Sequence, residues 1–376
     1  MPTRLSLVAA LILCLSNASL AQNPDPEWHF AVSGDSRNCG DVVMPAIAKS
    51  AKGNNSEFYW HLGDFRWGSD IDEDFAKSFP TQQLAEYRKN AWDDFIAQQV
   101  EPFAPVTVHL GIGNHELYFH GRTKQDESLS HEDFVRKFSK FLGGSKTAYY
   151  HWRLHHIDFI NLDNSFNEGF DAAQMSWLED LLKQDRSDSD VSAIVVGMHR
   201  ALPNSLACGH SMNGDPTTSA EDNRNSTESG RKAYRDLWDF QNATHKGVYV
   251  LASHSHLYME NIFNSPYWND RAEKDPALLK GKIEEKPLQG WLVGTAGARR
   301  YRLPENLPPN SPALTYAYGY LLATVKADHS ITFQFIQLSE DDLLKNSKYD
   351  KTFVDYCSLA NRDDSAHPPE PSCNEQ

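Results

Sequence analysis

The stretch WHFAVSGDSR, residues 28–37, runs a strand-length apolar segment into a Gly-Asp turn. Its aromatic and β-branched positions read as a buried strand, and the glycine before Asp35 lets the chain turn sharply. The same device recurs downstream. FYWHL (residues 58–62) leads into Gly63-Asp64, and VTVHLG (106–111) into Gly113-Asn114-His115-Glu116. SAIVVGM (192–198) leads into His199, and GVYVLA (247–252) into Ser253-His254-Ser255-His256. Residues 156–162 and 291–294 read as further strands, and 316–325 with 331–337 as a closing hairpin. Helical periodicity falls at 81–100, 131–141, 172–184 and 230–244, while 209–229 and 263–286 read as loops. Strands alternating with amphipathic helices predict an α/β domain.

Metal-ligand residue types thus recur at the carboxyl ends of successive strands, where open α/β sheets place their sites. Each piece alone has an ordinary reading. A Gly-Asp pair commonly caps a helix or forms a turn, and a lone histidine is commonly a packed structural residue. Their joint occurrence in this order is what points to a metal centre.

In that order the residues resemble the calcineurin-like metallophosphoesterase superfamily, which includes the purple acid phosphatases. The likeness spans residues 28 to 337 and is most specific in Gly113-Asn114-His115-Glu116. It implies two packed mixed β-sheets forming a sandwich flanked by helices. It also implies a site for one or two metal ions, with Asp64 bridging, Asn114, His199 and His254 on one ion, and Asp35 and His256 on the other. Imidazole with carboxylate ligands suits Zn, Mn or Fe better than Ca or Mg. His115 is then the acid facing the leaving group, and the expected reaction is hydrolysis of a small phosphate ester, monoester ahead of diester.

One motif departs from the family. Where its first motif carries a second ligand, this chain has Arg37, which has no lone pair to offer; the compensating tyrosine of purple acid phosphatases is here Trp67. Arg37 can clamp a phosphate, leave the second ion weak or missing, or mark a site that binds without catalysis. Arg200, beside His199, is a second candidate phosphate contact. A metal- and phosphate-binding protein without activity, and a nuclease or phospholipase of the same superfamily, are the competing readings.

The formal net charge of −15 lacks the basic face of a nucleic-acid binder. Residues 1–21 read as an export signal ending in Ser19-Leu20-Ala21, which predicts a periplasmic or secreted protein with no stable membrane anchor. The phosphoesterase domain is expected over 22–345, with an irregular tail over 346–376. Four cysteines remain beyond the signal, allowing three pairings in an oxidising compartment. Cys39–Cys208 and Cys357–Cys373 are the favoured bonds. The sequence sets no oligomeric state.

Overall fold

A computed structural model describes residues 26–66, 90–117, 128–165, 169–206, 211–213, 220–264, 287–300, 303 and 312–360. Two mixed sheets pack face to face. The first contains β1 (Trp28–Ser33), β2 (Ser56–His61) and β3 (Thr107–Leu110) in parallel. It is extended antiparallel from β1 by β11 (Gly319–Val325) and β12 (Ile331–Gln337). The second holds β5 (Ile157–Asn161), β6 (Ala193–Met198), β7 (Gly247–Ala252) and β9 (Gln289–Val293) in parallel. Antiparallel edges are β4 (Tyr150–Leu154), β8 (Tyr258–Glu260) and β10 (Ala313–Leu314).

Alternation along β1 sorts its side chains between two cores. Trp28, Phe30 and Val32 meet Phe159, Val195 and Leu251 between the sheets. Ala31 faces outward to helix α1 (Gly40–Gly53), α2 (Ala91–Phe95) and α3 (His131–Phe138). Helices α4 (Ala172–Ser187) and α5 (Ala220–Thr244) cover the outer face of the second sheet. The expected fold class is therefore the observed one, a β-sandwich between helical layers.

Register places the strand ends together. Ser33 pairs with His61 and His61 with Leu110, so the loops carrying Asp35, Asp64 and Asn114 leave one edge of the first sheet. Met198 pairs with Ala252, which brings His199 and Ser253 to the matching edge of the second. Gly34 N–H donates to Val293 O (3.0 Å), joining the two edges.

Several expectations need correction. The stretch 209–229 is read as loop from its polar composition, but a helix begins at Ala220, and Ser226 in its polar first half is buried. The expected domain ends on helix α6 (Glu340–Asn346), and the tail beyond it is not irregular throughout, since α7 (Lys351–Asp355) is a helix and Phe353, Val354 and Cys357 are buried. Its packing also overturns both favoured disulfides. Cys39 bonds Cys357, 318 positions away (Cα–Cα 5.8 Å). Arg300 fixes that partner by donating to Cys357 O (3.1 Å) and Ser358 O (3.2 Å). Cys208 and Cys373 lie outside the described residues, as do Trp67 and residues 265–286.

The bond ties the loop after Asp35 to the C-terminal helix across nearly the whole chain. Replacing Cys39 and Cys357 together by serine is expected to destabilise the protein by about 2–4 kcal/mol. A thermal melt under non-reducing conditions reads this, and an unchanged midpoint would show that the crosslink restrains nothing the unfolded chain lacks.

Candidate metal centre

The six expected ligands converge where the sheet edges meet. Donor atoms of Asp64, His199 and His254 lie within 4.8 Å of one another, as do those of Asp35, Asp64 and His256. Asp64 belongs to both groups. Asn114 joins the first, its Oδ1 being 3.0 Å from His199 Nε2. Asp35, Asp64 and His199 are almost wholly buried.

The local backbone is unusual. Asp35, Asp64 and His254 have φ of 61°, 60° and 68°, a left-handed conformation costly for residues with a side chain. Two glycines make the turn sterically feasible. Gly63 has φ 96°, and a Cβ on Gly113 would lie 2.2 Å from Asp64 Oδ1. Ser253 is not among the left-handed residues. Its hydroxyl donates to Leu62 O (3.0 Å) and lies 3.1 Å from His199 Nδ1.

Hydrogen bonds orient the imidazoles. His199 Nδ1 lies 3.0 Å from Leu62 O, and His256 Nδ1 lies 2.5 Å from Arg299 O. A carbonyl only accepts, so each ring donates from Nδ1 and turns its Nε2 lone pair inward. His199 Nε2 then meets Asn114 Oδ1, Asp64 Oδ1 at 3.3 Å and His254 Nδ1 at 3.1 Å. So many acceptors at one point require a cation or a proton. Asp35 Oδ1 is buried with no hydrogen-bond partner among the described residues, 3.5 Å from His256 Nε2. The donor set therefore fits metal ions.

Titration expresses the same surplus of negative charge. Burial opposes a charged His199, yet Asp64 and Asp35 outweigh it and raise the ring to about 9. Burial would push Asp64 up, but His199, His115 and Arg37 hold it well below the usual carboxylate range. A metal ion binding here displaces the proton that His199 otherwise holds.

Arg37 and His115 sit against the shared carboxylate. Arg37 Nε is 4.0 Å and His115 Nε2 3.7 Å from Asp64 Oδ2, and Arg37 Nη1 is 3.3 Å from His115 Nδ1. Burial, then Arg37, holds His115 well below the ordinary histidine value. Arg200 is buried, its N–H and carbonyl both bonded to the Asn164 amide (2.9 and 2.7 Å).

Two supporting residues escaped the sequence reading. Glu116 accepts from the backbone N–H groups of Asp64 (2.9 Å), Phe65 (2.7 Å) and Gly113 (2.6 Å), clasping the loops that carry Asp64 and Asn114. Burial, then Asp64, pushes it up to about 8 against the pull of those bonds. His61, lowered to about 3 by burial, accepts from Gly63 N–H at Nδ1 (3.2 Å) and reaches Ser36 Oγ with Nε2 (3.0 Å). Only the glutamate adjoining His115 had a signal, its place in the third motif.

The sequence profile of calcineurin-like phosphoesterases matches residues 29–258, which take in all six ligands. No curated protein matches the sequence. Among solved structures, purple acid phosphatase PPD1 of yellow lupin (Lupinus luteus) superposes with TM-score 0.51 at 16% identity, covering 92% of this chain. This chain spans 58% of the lupin protein. GAP50 of Plasmodium gives 0.51 at 11% identity over 86% of this chain and 88% of its own. PhoD gives 0.50 at 12% identity over 84% and 72%. At such identities the likeness is one of fold.

Proposed function

The chain belongs to the calcineurin-like phosphoesterase family, a metal-dependent class of hydrolases, and from that premise we propose that it cleaves small phosphate monoesters with His115 as the acid. The observation that carries this reading is Asp64, one buried carboxylate common to both ligand groups, with His115 and Arg37 beside it. Asn114, His199 and His254 would complete one metal position with Asp64; Asp35 and His256 would serve the other. Zn, Mn or Fe suits these donors. When bound, such ions supply charge neutralisation at phosphoryl oxygens and lower the pKa of a water nucleophile.

The remaining chemistry belongs to the chain. His115 assists the oxygen that departs with the alcohol, and general acid help of this kind is worth roughly 10²–10⁴-fold. Arg37 has five N–H donors in a fixed fork. That fork suits a phosphate oxygen, and Arg200 is a second candidate. The acidic chain favours a small substrate over a nucleic acid. The Cys39–Cys357 bond supports an exported protein, since such bonds persist in oxidising compartments. Among the described residues, no helix is long and apolar enough to cross a membrane.

Purified protein loaded with Zn or Mn should hydrolyse an aryl phosphate monoester faster than an aryl diester, and lose activity to a chelator. The fold alone does not decide this, because GAP50, which shares it, is described as an anchor. Bound metal without turnover of either ester would replace catalysis by metal and phosphate binding, and a faster diester would replace the monoesterase assignment.

A further inference from the structure

We propose that Arg37 is a positioning residue for His115: it holds Nδ1 as the acceptor and so keeps the ring proton on Nε2, the nitrogen turned to the shared carboxylate. This rests on the phosphoesterase reading for its consequence, though not for its geometry. Arg37 Nη1 lies 3.3 Å from His115 Nδ1. A guanidinium donates and never accepts, and stays charged at any pH the protein meets. A hydrogen bond at that contact therefore requires a lone pair on Nδ1. A protonated Nδ1 would set two donors against each other, and an imidazolium would add a second cation.

The rest of the ring then follows. With Nδ1 accepting, a neutral imidazole carries its hydrogen on Nε2. That nitrogen is 3.7 Å from Asp64 Oδ2, too far for a hydrogen bond. The His115 side chain retains 13% of its exposure, against 1% for Asp64. Arg37 is itself anchored, 4.0 Å from the same carboxylate and 6% exposed. His115 is thus poised as a neutral donor. As the oxygen of a water bonds to phosphorus and the ester phosphorus–oxygen bond breaks, the electron pair of that bond stays on the leaving oxygen and the water's proton passes to solvent. The Nε2–H hydrogen bond stabilises the alkoxide charge, and a solvent proton converts it to the alcohol on release. A neutral imidazole serves in this way without surrendering its proton, so the acid role given to His115 above narrows to that of a hydrogen-bond donor to the leaving oxygen.

This also accounts for an arginine at the place where the family's first motif carries a second ligand. The substitution gives up a metal donor, and gains a fixed tautomer for the residue that meets the leaving group.

Two measurements test it. In zinc-loaded protein labelled with [15N]histidine, with His115 assigned by its loss in His115→Gln, Nδ1 should resonate as unprotonated and Nε2 as protonated. Arg37→Met should shift both toward a mixture of tautomers. A protonated Nδ1 in the wild type would overturn the proposal. In turnover, Arg37→Met should lower kcat more for an alkyl phosphate than for a nitrophenyl phosphate, whose leaving group needs little help, by about tenfold or more. Equal losses on both, with only KM rising, would mean that Arg37 acts on the phosphate alone. The NMR readout needs no turnover. A protein that hydrolysed neither ester would refute the phosphoesterase reading, while the tautomer would still decide for or against Arg37.

Discussion

Asp64→Asn is expected to lose bound metal and to lower turnover by at least ~10³-fold, since metal ions contribute several kcal/mol at the transition state and each 1.36 kcal/mol is tenfold. Asparagine is the instructive replacement. It tolerates the left-handed backbone that residue 64 adopts, φ 60°, where alanine would add strain. Its amide oxygen can also keep the 2.9 Å bond from His115 N–H. What it lacks is the second anionic oxygen, and Asp64 is the residue common to both ligand groups. The loss should therefore appear in elemental analysis as well as in kinetics, with the melting temperature little changed by comparison. Full metal content with turnover within about tenfold of wild type would show that Asp64 is not the shared ligand.

The ligands were legible because each ends a strand. Strand β1 is bounded as its apolar run suggests, and parallel register carries the residue after each run to a common edge. Helix α1 was not legible for the opposite reason. Val42, Val43, Met44, Ala46, Ile47, Ala48 and Ala51 are all buried, so little polar face remains to mark the helical period, and Pro45 reads as a breaker. Strand β4 sits at a sheet edge and alternates between buried and exposed positions, with Arg153 and His151 outward. The disulfide was misassigned because pairing by sequence neighbourhood ignores where the tail packs. Cys357 is carried to Cys39 by a helix whose apolar residues Phe353 and Val354 are sparse in a polar stretch. Glu116 was visible as a member of the third motif, but its role, like that of His61, was hidden by the kind of work the two residues do. Their partners are backbone atoms brought near only by the finished fold, and no side-chain pattern announces them.

Glu116→Ala should be the most destabilising single change near the site. The carboxylate is fully buried and accepts three backbone N–H groups, from Asp64, Phe65 and Gly113. Removing it strands three buried donors, each worth roughly 1–3 kcal/mol when left unpaired, so the total is at least ~3 kcal/mol. Glu116→Gln separates hydrogen bonding from charge. Its single carbonyl oxygen can serve one side of the clasp, while its NH2 confronts a backbone donor on the other, so it should melt between wild type and Glu116→Ala. Metal affinity should fall alongside, by roughly 10–100-fold as for other groups that orient ligands, because the clasped loops position Asp64 and Asn114. Calorimetric melting and metal titration measure the two effects separately. If both variants melted with wild type, the three short contacts would contribute no net stability, and the left-handed turn at Asp64 would have to be held by Gly63 and Gly113 packing alone.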